Sequence, residues 1–191
     1  MSEVRLAHWS LEEFLAWEER QPAKYELVDG QPRLMTGVSP GHSLIVTNIA
    51  VALRGRLRGS PCRPHGPELR VIAGTGNVRY PDVGVDCGPF ERESHNASLS
   101  VAVFEVLSRT TAWTDLHHKL RDYDATPSIR HYVIVAQDEP RVEVWTRGAT
   151  GSLGLAATLT TLDAHMTLDP PGVTLAVAEL YDGLGFAEPS A

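Results

Sequence analysis

Two acidic residues, Asp82 and Glu105, occupy positions where a carboxylate could do chemistry. Glu105 lies near the end of the otherwise apolar run 99–106, a pattern that predicts a strand buried on both faces. Burying a lone carboxylate is costly unless the group is paired or binds a metal. Asp82 follows Pro81 within a second predicted strand at 77–86. If these strands are neighbours, the two carboxylates can share one divalent cation, and Mg²⁺ takes one or two carboxylates plus water and phosphate oxygens.

Each of these carboxylates also has an ordinary structural explanation. Glu105 can pair with an arginine or with a helix terminus, which would satisfy its charge without any metal. An aspartate after proline, as at Asp82, commonly begins a turn. The metal hypothesis therefore depends on the two residues acting together.

Lys119 is the cation that such a site would need. It lies in a predicted helix at 110–123, where Asp115 and Tyr123 share its face because they are four residues before and after it. A lysine is a compact charge that can approach a water molecule or a phosphate more closely than an arginine can. The alternative is a surface ion pair with Asp115, worth about 0.3–0.5 kcal/mol.

Glu26 and His42 are candidates because of where they lie rather than because of a motif of their own. Glu26 is in a predicted hairpin whose turn is Asp29-Gly30, a strong hairpin signal. His42 opens a predicted helix at 42–57, directly after Pro40-Gly41. A solvent-exposed strand face explains Glu26 equally well, and a helix-capping role explains His42.

The positive charge of the chain is concentrated in its second quarter. Of the 17 cationic residues, 15 are arginine, and the formal net charge is −7. Residues 41–80 nevertheless carry six arginines and one glutamate. Within this segment Arg54, Arg58, Arg63 and Arg79 are suited to phosphate contacts. For Arg54 and Arg58 the alternative is a solvated helix face.

Length and composition limit the class of protein. The 191 residues, 42% of them hydrophobic and 21% charged, suit one globular domain spanning 1–191 with a core at about 10–180, and argue against disorder. No apolar run reaches the ~18 residues of a membrane span, and we expect no signal peptide. Cys62 and Cys87 form no CxxC motif, so we expect reduced thiols in a cytoplasmic protein.

The elements that must position these residues follow from hydrophobic periodicity and turn signals. Helices and strands alternate along the chain, and a buried strand–helix–strand unit is predicted at 99–136. This order predicts an α/β fold with a mixed central sheet flanked by helices. The predicted elements are a helix at 11–20, a hairpin at 24–28 and 32–36, a helix at 42–57, strands at 68–73, 77–86 and 99–106, a helix at 110–123, and strands at 129–136, 142–146 and 153–160.

The ordered motifs resemble the Uma-type restriction endonuclease family of the PD-(D/E)xK nuclease superfamily. The resemblance runs from about residue 10 to about residue 180. Its motifs are Tyr25-Glu26-Leu27-Val28-Asp29-Gly30, His42-Ser43, Pro81-Asp82-Val83, Phe104-Glu105-Val106-Leu107-Ser108, the set Asp115, Lys119 and Tyr123, and His131-Tyr132-Val133-Ile134-Val135.

The resemblance implies a restriction-endonuclease-like core, with an N-terminal helix and β-hairpin, that hydrolyses DNA phosphodiester bonds with Mg²⁺ or Mn²⁺. Asp82 and Glu105 would hold the metal, and Glu26 would be a further acidic ligand or would orient water. Leu107 occupies the position where the (D/E)xK lysine belongs, so the resemblance assigns that role to Lys119. His42 would complete the site. A homodimer would suit the cutting of two strands.

Two other hypotheses remain open at this point. The acidic balance and the lack of a separate recognition domain are compatible with a catalytically weak or inactive nucleic-acid-binding or regulatory module on a nuclease-like scaffold. A third hypothesis is a purely structural dimer, although it leaves a buried Glu105 without a role. Metal binding that depends on Asp82 would separate the metal-dependent nuclease hypothesis from both of these alternatives.

Overall fold

The computed structural model describes residues 8–107 and 112–186, the side chains of 112–117 excepted. Within these ranges the elements in chain order are α1 (Leu11–Glu18), β1 (Tyr25–Val28), β2 (Gln31–Leu34), α2 (Pro40–Arg56), β3 (Arg63–His65), β4 (Val71–Ile72), β5 (Val78–Arg79), β6 (Val83–Asp86), β7 (Ser100–Leu107), α3 (Ala112–Asp124), β8 (His131–Ala136), β9 (Val142–Arg147), β10 (Leu153–Leu159), β11 (His165–Leu168), β12 (Val173–Ala176) and α4 (Val177–Leu180).

A six-stranded mixed sheet forms the centre of the fold, in the order β10-β9-β8-β7-β6-β3. Only the pair β7–β8 is parallel among these strands. Parallel neighbours need a crossover connection, and α3 supplies it. In β7 the residues from Ser100 to Val106 are all buried, as the apolar run predicted. The predicted α/β fold with a mixed central sheet is therefore confirmed.

Alternate residues of β7 face two different hydrophobic clusters, one on each side of the central sheet. Phe104 packs on one side with Ile45 and Ile49 of α2 and with residues of β11, β12 and α4. Val103 packs on the other side with Tyr123 of α3. The two helices that carry His42 and Lys119 are thus held against opposite faces of the strand that carries Glu105.

A second, four-stranded sheet in the order β2-β1-β5-β4 packs against α1. The single strand predicted at 77–86 is wrong, because β5 and β6 are separate strands that belong to different sheets. Pro81 lies in the connection and has no N–H group to donate to a sheet. Asp82 therefore lies where the chain passes from one sheet to the other.

Cys62 and Cys87 form a disulfide bond, so the prediction of reduced thiols is wrong. Arg63 pairs with Asp86 where β3 lies antiparallel to β6, and the two cysteines are the next opposed pair along these chains. The two cysteines are 25 residues apart in the chain, so the absence of a CxxC motif says nothing about whether they pair. The cytoplasmic location loses the support that reduced thiols would have given. In the described ranges, no helix combines the length and apolar character needed to cross a membrane.

Candidate active site

The five polar residues singled out in the sequence line one cavity of about 430 Å³. β1 supplies Glu26, the first turn of α2 supplies His42, and the connection before β6 supplies Asp82. β7 supplies Glu105 and α3 supplies Lys119. The cavity therefore lies where the two sheets meet, beside the carboxyl end of β7.

Glu105 is the most deeply buried of these groups, with 2% of the residue exposed. The Tyr123 hydroxyl donates to Glu105 Oε1 at 2.7 Å, and Lys119 Nζ donates to Oε2 at 2.7 Å. Burial raises the pKa of Glu105 to about 7; Lys119 opposes this shift, while Asp82 and Glu26 add to it through charge repulsion. Glu105 therefore holds a proton more readily than an exposed carboxyl group does.

The contacts to Glu105 follow from the geometry of α3. Lys119 and Tyr123 are one turn apart and therefore lie on the same face of the helix. Because α3 returns the chain from the end of β7 to the start of β8, this face covers the carboxyl end of β7. The predicted orientation of Lys119 toward the Glu105 strand is what the structure shows.

Asp82 and His42 form a second contact pair in the cavity. The backbone N–H of Val106 donates to Asp82 Oδ2 at 2.8 Å, and His42 Nε2 lies 3.2 Å from the same oxygen. Burial on its own would lower the pKa of His42, but the hydrogen bond to Asp82 and the charges of Asp82 and Glu105 outweigh it, so the pKa is raised. The helix begins at Pro40, two residues before the predicted start at His42, and Ser39 caps it by accepting the His42 N–H. The cap thereby fixes His42 in the first turn of α2.

Glu26 forms an ion pair with Arg79 and does not lie on a solvent-exposed strand face. Arg79 Nη1 donates to Glu26 Oε2 at 2.8 Å, and the Tyr80 N–H donates to Oε1 at 3.1 Å. Arg79 is fully buried and also donates through Nε to Asp122 at 2.7 Å. The prediction that Arg79 contacts DNA is wrong, because its guanidinium is fully buried and pairs with the buried Asp122 and the half-buried Glu26 instead.

The other predicted DNA-contact residues lie outside the cavity. Arg54 and Arg58 are exposed near the end of α2. Arg63 is half-buried and donates to the carbonyl oxygens of Pro61 and Gly88. The contact of these three arginines with nucleic acid stays a prediction.

The sequence placed Tyr123 on the same helix face as Lys119 but gave it no role, and the structure shows that its hydroxyl donates to Glu105. Two further residues at or behind the site were not singled out. Asp122 anchors Arg79, but nothing local to either residue marks that pairing. Gln137 lines the cavity and accepts the Ser39 hydroxyl at 2.9 Å. Its signal is a polar residue directly after a buried parallel strand, at the edge where such strands place their sites.

The chemistry of the donor set decides which metal the cavity suits. Among the residues that the structure describes, no group of three or more His, Cys, Asp or Glu side chains is arranged to hold a metal ion. Asp82 and Glu105 offer oxygen ligands, and two carboxylates suffice for Mg²⁺, which keeps several waters and binds substrate phosphates. The residues present therefore fit Mg²⁺ or Mn²⁺ better than a metal that needs a closed protein cage.

Comparison with solved structures places the fold among known proteins. A structure described as that of "a putative nuclease belonging to DUF820" from Anabaena variabilis superposes with a TM-score of 0.73 at 17% sequence identity, covering 90% of this chain and 97% of the other. At this identity the likeness concerns the fold alone.

Sequence comparisons place the family. Protein slr1290 of Synechocystis, which is uncharacterized, is 33% identical over 179 residues, or 93% of each chain. A second uncharacterized Synechocystis protein, sll1609, is 26% identical over 136 residues, or 69% of this chain and 76% of its own. The model of the Uma2 family, described as "Putative restriction endonuclease", matches residues 11–178. This chain belongs to the Uma2 family.

Proposed function

We propose that the protein is a metal-dependent endonuclease that hydrolyses DNA phosphodiester bonds. The observation that carries the proposal is the convergence of Glu26, His42, Asp82, Glu105 and Lys119 on one cavity, with Lys119 Nζ 2.7 Å from Glu105. Membership in a family described as restriction endonucleases supports the same reaction class.

Asp82 and Glu105 would hold Mg²⁺ or Mn²⁺. When bound, the cation would neutralise charge that develops on the phosphate and would lower the pKa of a coordinated water. Glu26 lies close enough to influence Glu105 electrostatically and would orient water or add a further oxygen ligand.

Lys119 and His42 are the groups that would act on the reacting phosphate directly. Lys119 would donate a hydrogen bond to an oxygen that becomes more negative in the transition state, which is where fixed donors contribute most to rate. His42, whose Nε2 lies 3.2 Å from Asp82 Oδ2, would donate a hydrogen bond near the leaving oxygen while Asp82 holds its ring in place.

The test is cleavage of supercoiled plasmid, linear duplex and single-stranded DNA with Mg²⁺ or Mn²⁺. We expect cleavage by the wild-type protein. In Asp82→Asn, both cleavage and the Mn²⁺ binding seen by calorimetry should be lost. Asp163→Asn, a change at an exposed carboxylate far along the chain, is the matched control and should retain both. A folded wild-type protein that cuts none of the three DNA forms with either metal would contradict the proposal.

One observation favours a second candidate, a catalytically weak or inactive nucleic-acid-binding or regulatory module. Both oxygens of Glu105 already accept hydrogen bonds, from Lys119 and Tyr123, so the buried charge is satisfied without a metal ion. This candidate predicts no Mn²⁺ binding and unchanged DNA binding in Asp82→Asn. Mn²⁺ binding that disappears in that variant would rule it out.

Assembly as a homodimer would complete the proposed activity, because cutting both strands of a duplex calls for two active sites related by a two-fold axis. Light scattering coupled to gel filtration measures this directly. A mass of two chains is expected, and a monomer at the concentrations that cleave DNA would contradict it.

A further inference from the structure

We propose that a second cavity binds an unpaired nucleotide of the substrate strand, with its base against Phe90 and its phosphate against Arg54 and Arg92. This inference rests on the proposed nuclease function, since it names a feature of the substrate. The cavity has a volume of about 340 Å³, within the roughly 300–1,000 Å³ of ordinary ligand pockets. It includes Asp86, at the opposite end of β6 from the connection that carries Asp82.

Phe90 gives the cavity a stacking surface. The residue is 68% exposed. The Arg63 guanidinium lies 4.9 Å from the centre of its ring, and Arg63 is itself fixed by the carbonyl oxygens of Pro61 and Gly88. Exposed aromatic rings beside guanidinium groups are the surfaces on which single-stranded nucleic acids stack their bases. Inside a duplex the base faces are stacked on each other, so away from a duplex end only an unpaired base can lie on this ring.

Arginine side chains make the cavity suitable for a phosphate. Arg54 and Arg92 line it and are exposed, and neither forms an ion pair with another described residue. Of the two acidic lining residues, Asp86 is buried and its oxygens already accept the backbone N–H groups of Gly88, Ser98 and Leu99. Only Glu91 places an exposed carboxylate at the cavity, so positive charge prevails there.

A groove along α2 adjoins this cavity and extends along the helix toward the turn that carries His42. The groove is lined by Val46, Ala50 and Arg54 on one side and by Pro64 and His65 on the other, and Val46 is one turn from His42. The twelve residues from His42 to Arg54 span about 18 Å of helix. A stacked strand rises about 3.4 Å per nucleotide, so about five nucleotides separate the two sites.

The disulfide bond fixes both walls of the cavity. Cys62 directly precedes Arg63, and Cys87 is three residues before Phe90. The bond therefore holds the strand of Arg63 against the segment that leads to Phe90. A site whose walls are covalently joined loses less conformational entropy when a ligand orders it.

The test compares binding of two fluorescent DNA probes in EDTA by anisotropy. One is a blunt duplex, and the other carries a single-stranded extension of about eight nucleotides. The wild-type protein should bind the extended probe more tightly than the blunt one. Phe90→Ala should weaken binding of the extended probe about ten-fold, as loss of one base–aromatic stack predicts, and leave the blunt probe within about two-fold. Phe90→Trp should keep the preference because it keeps the stack.

The matched control is Leu155→Ala, which removes another exposed apolar side chain, 51% exposed on β10, and should change neither affinity. Equal binding of the two probes by the wild-type protein, or equal weakening of both by Phe90→Ala, would overturn the inference.

Because binding is measured without metal, a protein that cleaves no DNA can still prefer the extended probe. Failure of the nuclease proposal is therefore recognised separately. Conversely, a protein that cleaves DNA but does not prefer the extended probe overturns only the proposed nucleotide site and leaves the nuclease proposal standing.

Discussion

Lys119 is one of two lysines in a chain whose other 15 cationic residues are all arginine. The only other lysine is Lys24, which pairs with the exposed Glu68 and contacts the Pro67 carbonyl oxygen. Lys119 instead contacts the buried Glu105 inside the candidate active site. A lysine suits that position because its charge is compact and can lie between a carboxylate and a phosphate oxygen.

Lys119→Arg is therefore expected to keep the charge and the fold but to lose cleavage. The planar guanidinium would form a two-point contact with Glu105 and would displace the donor from the phosphate. Loss of one such donor lowers the rate by about 10²–10³-fold. Rates of plasmid cleavage and thermal melting of the two proteins measure the two effects separately.

The control for this substitution is the other lysine. Lys24→Arg keeps its contact with Glu68 away from the cavity and should cleave at the wild-type rate. If Lys119→Arg cuts as fast as Lys24→Arg, then Lys119 has no direct part in the reaction and only balances the buried charge of Glu105.

Among the elements, β1, β5 and α3 are joined through one buried side chain. Arg79 of β5 contacts Glu26 of β1 and Asp122 of α3; the Arg79 and Asp122 side chains are fully buried, and that of Glu26 is largely so. Asp122 also accepts both the Asn77 amide and the Thr75 hydroxyl. The contacts of Arg79 thus hold the small sheet against the helix that carries Lys119.

Arg79→Met is expected to lower the free energy of unfolding by about 3–5 kcal/mol, because removing one partner leaves buried carboxylates without a counter-charge. Urea unfolding followed by circular dichroism measures the change. Arg130→Met, at an exposed arginine, is the matched control and should change stability by no more than about 0.5 kcal/mol. A loss for Arg79→Met no larger than the control would show that the buried carboxylates are protonated or hydrated instead.

Local patterns predicted most of these elements and not the contacts between them. The apolar run of β7, the stripe of α2 and the Asp29-Gly30 turn all carry their own periodicity, and each forms as expected. Local patterns do not reveal the break at Pro81, because the strand residues on both sides of it resemble one continuous run. The burial of Arg79 could not be foreseen, since its partners are 53 and 43 residues away in the chain.

For the whole molecule, the distribution of charge matters more than its total. The net charge of −7 opposes approach to DNA, yet the segment from 41 to 80 is strongly basic. The structure divides that segment, because Arg70 and Arg79 are buried in ion pairs with Glu18, Glu26 and Asp122. Its exposed arginines lie mainly at the end of α2. Composition could reveal the basic segment, but only the fold distinguishes arginines that stabilise the interior from those that face solvent.

If the exposed arginines contact phosphates, DNA binding must depend on salt in proportion to their number. Each neutralised phosphate contributes about 0.7–0.9 to the slope of log affinity against log salt concentration, so Arg54→Gln/Arg58→Gln should lower the magnitude of that slope by about 1.4–1.8. Affinities measured by anisotropy at several salt concentrations give the slope directly.

The control must remove the same charge elsewhere, because any loss of two cations weakens attraction to DNA in general. Arg20→Gln/Arg130→Gln changes the net charge equally at exposed positions outside the α2 groove. Such long-range attraction is screened by salt, whereas counterion release requires the phosphate to be bound. The control should therefore keep the wild-type slope. If both double variants lower the slope equally, the arginines of α2 act only through net charge, and DNA follows another path across the protein.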